Sequence, residues 1–419
     1  MIGMKCGGKY KKMGKTRDEE LIKLTFIGDV LCKREILKLV LSGQRSFDEI
    51  FADVKQLFSE SDYVIGNLET PIAGEGLGYT SIPSCFNSPE SFAEALFNAG
   101  VNMVSTANNH CLDRGVKGLC ETLDALDRIG LEHVGTYRTK EESDKIKVVD
   151  VRGVKFSFVA GTYGYGSDES RYGISERHLS KDDEWHIDLF RNPTAAGITG
   201  PSLPKLLLSF LKTKTPSKLK SILKFIHAGC RPTDYLSDNV SPSEIKLTEN
   251  IPYINAFLSK LEKAKQVSDF VIALPHLGGQ YNPYPGFFQE FVTQQILSMG
   301  IDLIVENHSH NPQPINIHEN GTLVAYSLGN FAYTPYIDNF VYQTFAEYGV
   351  VLHVYVNRNT KRIVCHNVDL VKNILEQDGF ARTVRTEYLL GHVKDEVKRE
   401  RLYQETNAIK AKMSLSDKI

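Results

Sequence analysis

The chain is short of several things, and each shortage removes a class of function. Its charges nearly cancel, with 49 Lys and Arg against 51 Asp and Glu for a net charge of -2, so no positive excess points to nucleic acid or another polyanion. The seven cysteines are odd in number and scattered, with no Cys-x-x-Cys pair, which argues against a zinc knuckle, a redox site or a disulfide framework and fits reduced thiols. No run approaches the ~18 apolar residues of a membrane-spanning helix. The first twenty residues turn from basic to acidic without an apolar core, so no signal peptide or anchor is expected in them. Residues 1–20 read as a disordered tail and the protein as cytoplasmic. A hydrophobic content of 42% and a charged content of 24% are those of a soluble globular chain able to bury a large core.

What is present is a repeated grammar of apolar strands that stop at polar residues. Leu24 to Val30 has the β-branched character of a buried strand and delivers Asp29 at its end. Tyr63 to Gly66 runs into Asn67-Leu68-Glu69, and Val101 to Val104 into Asn108-Asn109-His110. Phe270 to Leu274 runs into Pro275-His276, and Ile301 to Val305 into Glu306-Asn307-His308-Ser309-His310. Open α/β sheets bind ligands at such strand ends. Helical spacing over Ser91 to Ala99, Gly115 to Ile129 and Phe287 to Met299 separates the strands and predicts α/β layers. From Gly321 onward, strands are expected at 322–327, 349–356 and 362–365, in a mixed or second sheet.

Between Leu189 and Thr233 there is no acidic residue, while Arg191, Lys205, Lys212, Lys214, Lys218, Lys220, Lys224 and Arg231 are positive. This block breaks the motif series. Residues 166–245 therefore read as an insertion in a catalytic domain made of 21–165 and 246–372, with 373–419 as a charged, peripheral C-terminal helix. The basic stretch 205–226 suits a lid over an anionic substrate, a peripheral contact with the inner face of a membrane, or a helical pair with a solvated lysine face.

Carboxylates, an amide oxygen and neutral imidazoles are the donors that hold hard and borderline divalent ions, and a two-ion centre needs one carboxylate to bridge. His308 and His310, at i and i+2, point the same way in an extended segment. The alternatives are ordinary ones: Asp29 can cap the helix that follows, Glu69 can be a turn-proximal acid, and Arg34 with Asp113 can form a structural ion pair. Asn108 reads as the turn residue and Asn109 as the donor, although the two can be reversed. Ser327 and Asn330 read as shaping the loop beneath the site.

Gly28-Asp29 with Arg34, Asn67-Leu68-Glu69, Ala107-Asn108-Asn109-His110 with Asp113 and Gly115, His276-Leu277-Gly278 with Tyr281, His308-Ser309-His310 and Tyr326-Ser327-Leu328-Gly329-Asn330-Phe331 stand in the order seen in the CapA family, which the chain resembles from about Leu24 to Phe331. That family is named for poly-γ-glutamate capsule synthesis. The resemblance implies a layered calcineurin-like metallophosphatase fold, an α/β/β/α sandwich, here with the basic insertion. It implies one or two divalent ions, Mn, Fe or Zn, with Asp29 and His310 on one, Asn109, His276 and His308 on the other, and Glu69 bridging. His110 then serves as general acid or electrostatic stabiliser, oriented by Asp113, and Arg34 holds an anionic substrate group. The implied activity is metal-dependent hydrolysis or transfer on a γ-glutamyl, peptide-like or anionic substrate. A peptide epimerase on the same fold and a non-enzymatic scaffold of a capsule or polymer-export complex are the rivals. Two departures are expected to alter recognition: His276-Leu277-Gly278-Gly279-Gln280 replaces the common His-Trp-Gly-x-Glu, and Glu306 stands where relatives commonly have Gly. Asp29-Val30-Leu31 also lacks the His of the wider metallophosphatase Asp-x-His, so the first ion has one ligand fewer.

Overall fold

Residues Leu21–Val30 are mostly apolar and almost wholly buried, as suits a strand covered on both faces. They sit at the centre of the larger of two sheets in the computed structural model, which describes residues 20–81, 85–164, 179–191, 247–335 and 345–413, and a short antiparallel pair, Lys5–Cys6 with Lys9–Tyr10. Among the described residues this sheet runs in the order Ala381–Arg385, Ile363–Leu375, Tyr348–Asn357, Leu21–Val30, Tyr63–Leu68, Met103–Ser105, Glu132–Val134, and Asn330–Ala332 pairs beside the end of Leu21–Val30. The four strands from Leu21–Val30 to Glu132–Val134 are parallel, whereas the three from the C-terminal part pair antiparallel. The second sheet runs Ile315–Ile317, Leu323–Ala325, Leu303–Val305, Phe270–His276, Val154–Thr162, Lys147–Val151, parallel at its centre and antiparallel at both edges.

Alternation along the strands sets the layers. Ile22, Leu24 and Phe26 of one sheet meet Phe156, Phe158, Ala160 and Ile272 of the other in one buried cluster. Val64, Leu68 and Val104, on the opposite face of the larger sheet, pack against Ile36, Phe51, Phe92 and Leu96 from the helices Arg34–Leu41, Asp48–Phe51 and Glu90–Asn98. Val271, Ala273 and Ile304 of the smaller sheet pack against Phe257 and Leu261 of Leu247–Val267 and against Val292 and Ile296 of Phe287–Ser298. The result is a mixed α/β fold of two facing sheets with helices outside each.

A close backbone approach locks the end of the central strand. Asp29 N donates to Gly329 O at 2.8 Å, and a Cβ on Gly28 would stand 2.0 Å from that same oxygen. Only glycine fits at position 28, and Gly329, with φ at 68°, is in the left-handed region glycine prefers. Asp29 is thereby held at the strand end, not on a helix: the helix that follows is capped by Lys33, without a side-chain cap bond.

Two stretches differ from the sequence reading. The chain after residue 372 is not only a peripheral helix. Ala381–Arg385 adds an edge strand, and in the helix Glu396–Met413 the residues Leu402, Ile409 and Met413 enter the core between the sheets. Their spacing is helical, but eighteen residues dense in Lys, Arg and Glu hide it. Within 166–245, residues 179–191 return to the body: Ile187 bridges Thr136, Leu189 bridges Thr162, and Phe190 is fully buried. The basic stretch 205–226 and most of the tail 1–20 lie outside the described residues. No described helix is long and apolar enough to cross a membrane.

Burial of the C-terminal helix has a measurable consequence. Ile409→Ala is expected to cost about 2–5 kcal/mol in chemical denaturation, as for a core truncation, while Val397→Ala, at an exposed position of the same helix, stays within about 0.5 kcal/mol. Equal, small effects at both positions would show the helix to be detachable.

Candidate metal centre

The strand ends of the two sheets converge, and the donors they carry are buried together. Asp29, Glu69, Asn109, His110, Asp113, His276, His308 and His310 are each at most 5% exposed. His276 Nε2 lies 2.8 Å from Asn109 Oδ1, 3.1 Å from His308 Nδ1 and 3.6 Å from Glu69 Oε1. His310 Nδ1 lies 3.1 Å from Asp29 Oδ2, and His310 Nε2 lies 3.8 Å from Glu69 Oε1. Donor atoms on a coordination shell of about 2.1 Å radius sit roughly 3.0–3.4 Å apart, so these separations match the edges of such shells. Two three-residue clusters result, Glu69-His276-His308 and Asp29-Glu69-His310, and Glu69 belongs to both.

Unsatisfied oxygens are the second sign. Among the described residues, Asp29 Oδ2, Glu69 Oε1 and Glu69 Oε2 are buried without a hydrogen-bond partner. Burying a carboxylate without donors costs several kcal/mol, and a cation between the two clusters removes that cost. The donor set, two carboxylates, an amide oxygen and three imidazoles, fits divalent ions of the Mn, Fe and Zn type.

Electrostatics divide the histidines. Burial pushes His308 well below the ordinary imidazole range, and the neighbouring His276 and His310 push the same way, which favours the neutral form a metal ligand needs. Burial also opposes charge on His310, but Glu69 and Asp29 outweigh it and raise that imidazole to about 9. Burial raises Glu69, and the surrounding His310 and His276 more than reverse this, leaving it below the usual carboxylate range. The backbone is strained at the same place: His308 has φ 113° and His310 φ 54°, conformations that non-glycine residues avoid.

Around the donors stands a supporting shell of amides. Asn67 Nδ2 donates to Asp29 Oδ1 at 2.7 Å and lies 3.2 Å from His276 Nδ1, orienting one ligand of each cluster. Asn108 is the turn residue, its Oδ1 accepting from His110 N at 3.1 Å and its Nδ2 donating to Leu68 O at 2.9 Å, which leaves Asn109 facing the site. Asn330 Oδ1 lies 3.0 Å from His310 Nδ1 while its Nδ2 donates to Ala346 O at 2.8 Å. His110 Nδ1 lies 2.9 Å from Asp113 Oδ2, which also accepts from Phe86 N at 2.5 Å, so Asp113 orients the ring. Arg34 is not brought to the donors: its side chain is 44% exposed and its Nε donates to Glu35 Oε1 at 2.7 Å. The cation placed closer is Lys33, whose Nζ lies 3.8 Å above the Tyr333 ring. Burial pulls its ammonium down to about 7, against the pull of Glu35 and Glu69.

Of the departing residues, Gln280 is half-buried while Leu277 and Glu306 are interior. Leu277 is fully buried in an apolar cluster, and Glu306 accepts from Thr293 Oγ1 at 2.5 Å and Gln289 Nε2 at 2.7 Å, below the ligands. Sequence reasoning gave no role to Asn67 or Lys33. Asn67 had a signal, since it ends its strand as Asp29 does; Lys33 had none.

A stability window follows for the protein stripped of metal. His310, paired with Glu69 and Asp29, is raised from 6.5 to about 9, so its contribution is complete below pH 6.5 and is lost as pH rises through 9. Lys33, lowered to about 7, acts in the opposite sense over the same range, so the contribution of His310 is read as the stability gap between wild type and His310→Gln, which should shrink by a few kcal/mol, on the order of 3, between pH 6.5 and 9.5. A gap that does not change with pH would refute the assignment.

Comparison with known proteins comes from several sides. Over 321 residues, 76% of the chain, it is 25% identical to the PGA biosynthesis protein CapA of Bacillus subtilis (strain 168), and over 322 residues it is 23% identical to the capsule biosynthesis protein CapA of Bacillus anthracis. The aligned region covers 65% and 61% of those two proteins, less than two thirds of their length. A solved structure described as a novel phosphatase from Mycoplasma pneumoniae aligns over 84% of this chain and 94% of its own, at 14% identity and a TM-score of 0.40, a likeness too loose to carry an argument. Residues 23–334, which include every candidate ligand, match the model of the bacterial capsule synthesis protein PGA_cap, and the chain belongs to that family.

Proposed function

We propose that this protein is a metal-dependent enzyme with a calcineurin-like metallophosphatase architecture, acting by hydrolysis or transfer on a γ-glutamyl or related anionic, peptide-like substrate. The observation that carries the reading is Glu69, shared by two donor clusters and, among the described residues, left without a hydrogen bond to either oxygen. Asp29 and His310 would complete one ion's protein ligands, and Asn109, His276 and His308 the other's. Bound there, divalent ions supply Lewis acidity, polarising a carbonyl and stabilising negative charge that develops on it.

The chain's own groups have separate tasks. With Nδ1 directed at Asp113, His110 turns its other nitrogen away from that carboxylate, free to pass a proton to a departing amine. Phe86, edge-on to the His110 ring at 4.5 Å between centroids, limits water there. Asn67 and Asn330 keep Asp29, His276 and His310 from turning away when the site is empty. The substrate class is drawn from the relatives' names, which speak of PGA and capsule biosynthesis. Hydrolysis of an amide would add the OH of water to the carbonyl carbon, break the C–N bond and place the proton on the leaving nitrogen.

The test pairs metal analysis with turnover. Wild-type protein should retain Mn, Fe or Zn through desalting, and Glu69→Ala should lose it. His110→Gln should keep the metal but cut cleavage of a γ-glutamyl oligomer by about 10²–10⁴-fold. Wild-type protein that binds none of these ions, or Glu69→Ala that retains them fully, sinks the proposal.

A further inference from the structure

The segment that returns to the body ahead of the acid-free block brings one cation to the edge of the donor set. Thr162 N donates to Asp188 O at 2.8 Å and Phe190 N to Thr162 O at 2.9 Å, so this segment runs beside the end of the strand Val154–Thr162. The Asp188 carboxylate accepts from Lys260 Nζ at 2.6 Å and from the Tyr137 hydroxyl at 2.6 Å. Phe190 is buried against Phe257, with ring centres 4.6 Å apart. The backbone that carries Arg191 is thus fixed by an ion pair, a ring contact and two main-chain bonds in the residues just before it.

Tyr163 links this cation to the ligands. Its N donates to His276 O at 3.0 Å, its ring lies 4.5 Å from that of His308, and the Arg191 guanidinium carbon lies 4.8 Å from the Tyr163 ring centre. A Cβ on Gly164 would stand 3.5 Å from Arg191 Nε, so the guanidinium packs along bare backbone there. That Nε is buried and has no hydrogen-bond partner among the described residues. From residue 192 to residue 233 the chain has no Asp or Glu to act as a counter-ion. An aromatic face steadies a guanidinium through the ring quadrupole but accepts none of its in-plane N–H bonds. Leaving such a donor buried and unmet is costly, and an anion arriving in the plane of the fork removes the cost.

Resting on the metallo-enzyme reading above, we infer that Arg191, steadied on Tyr163, anchors one oxyanion of the substrate on the His276 and His308 side of the centre. A planar fork pairs best with a planar carboxylate, because two parallel N–H···O bonds fix its orientation as well as its position. A γ-linked glutamyl chain carries such a group, a free α-carboxylate within a few bonds of each backbone amide. Holding it selects which carbonyl is presented to the donor clusters, which is how a residue outside the ligand set contributes to specificity. A phosphate ester offers the same two-oxygen edge from a different source. Arg191 also lies at the start of the acid-free block, which gives that block a local task independent of any membrane contact.

The experiment is calorimetric binding to manganese-loaded protein, with γ-glutamyl-glutamate, its fully amidated form and inorganic phosphate as probes, and with metal content and melting temperature measured for every sample. Wild-type protein should prefer the carboxylate probe over its amide by about tenfold or more, with the preference falling as salt rises. Arg191→Gln should erase most of that preference at unchanged metal content and melting temperature. Arg191→Lys, which keeps the charge and loses the fork, should restore part of it, which a packing role for the guanidinium does not predict. An Arg191-dependent affinity for phosphate but not for the carboxylate probe keeps the anchor and changes the source of the anion. If Arg191→Gln retains the wild-type affinities for both anionic probes with its metal in place, the anchor is wrong and the metal centre stands. If wild-type protein holds no metal yet discriminates through Arg191, the anchor stands and the metallo-enzyme reading falls.

Discussion

Two carboxylates buried without enough donors govern the architecture around them. Asp29 and Glu69 are fully buried, and among the described residues three of their four oxygens have no hydrogen bond. A fold ordinarily pairs such groups or leaves them in water, because an unpartnered buried charge can cost more than the whole margin of stability of a domain. Here the compensation is partial and built from imidazoles: His310 is drawn to the charged form, while His308 is pushed to the neutral one. The protein alone is thus left with a deficit of positive charge at one point, which a divalent cation would fill.

The scaffold makes this deficit rigid. Parallel strands in both sheets end at one place, so donors distant in sequence, such as Asp29 and His310, come within 3.1 Å. Gly28 lets the backbone of Gly329 approach the Asp29 strand end, and Asn330, next in the chain, reaches His310. The positive φ values at His308 and His310 are strain that the neighbouring strands and the amide shell sustain. A C-terminal helix whose Leu402 and Ile409 enter the space between the sheets closes the same core.

Much of this was legible in the sequence, because strand ends and ligand types repeat. Gly115–Ile129 appears as a helix with the bounds its apolar spacing predicts, and Leu21–Val30, Tyr63–Leu68 and Phe270–His276 end at the residues singled out as donors. What was not legible depends on three-dimensional placement. Asn67 sits two residues from Glu69 in an extended chain, yet its work is on Asp29 and His276, 38 and 209 positions away. Arg34 and Lys33 are neighbours in a basic pair, and only the helix geometry decides that Lys33 lies over Tyr333 while Arg34 turns to Glu35. The C-terminal core contacts were hidden by composition, since three apolar residues at helical spacing are outnumbered by charges in the same helix.

The central claim is that Glu69 bridges two ions. Anomalous diffraction from crystals grown with manganese tests it most directly, because each ion appears as its own peak. The account predicts two peaks about 3.5–4 Å apart, one beside Asp29 and His310, the other beside Asn109, His276 and His308, with a Glu69 oxygen between them. A single peak that does not touch Glu69, or none at all at saturating manganese, would contradict it.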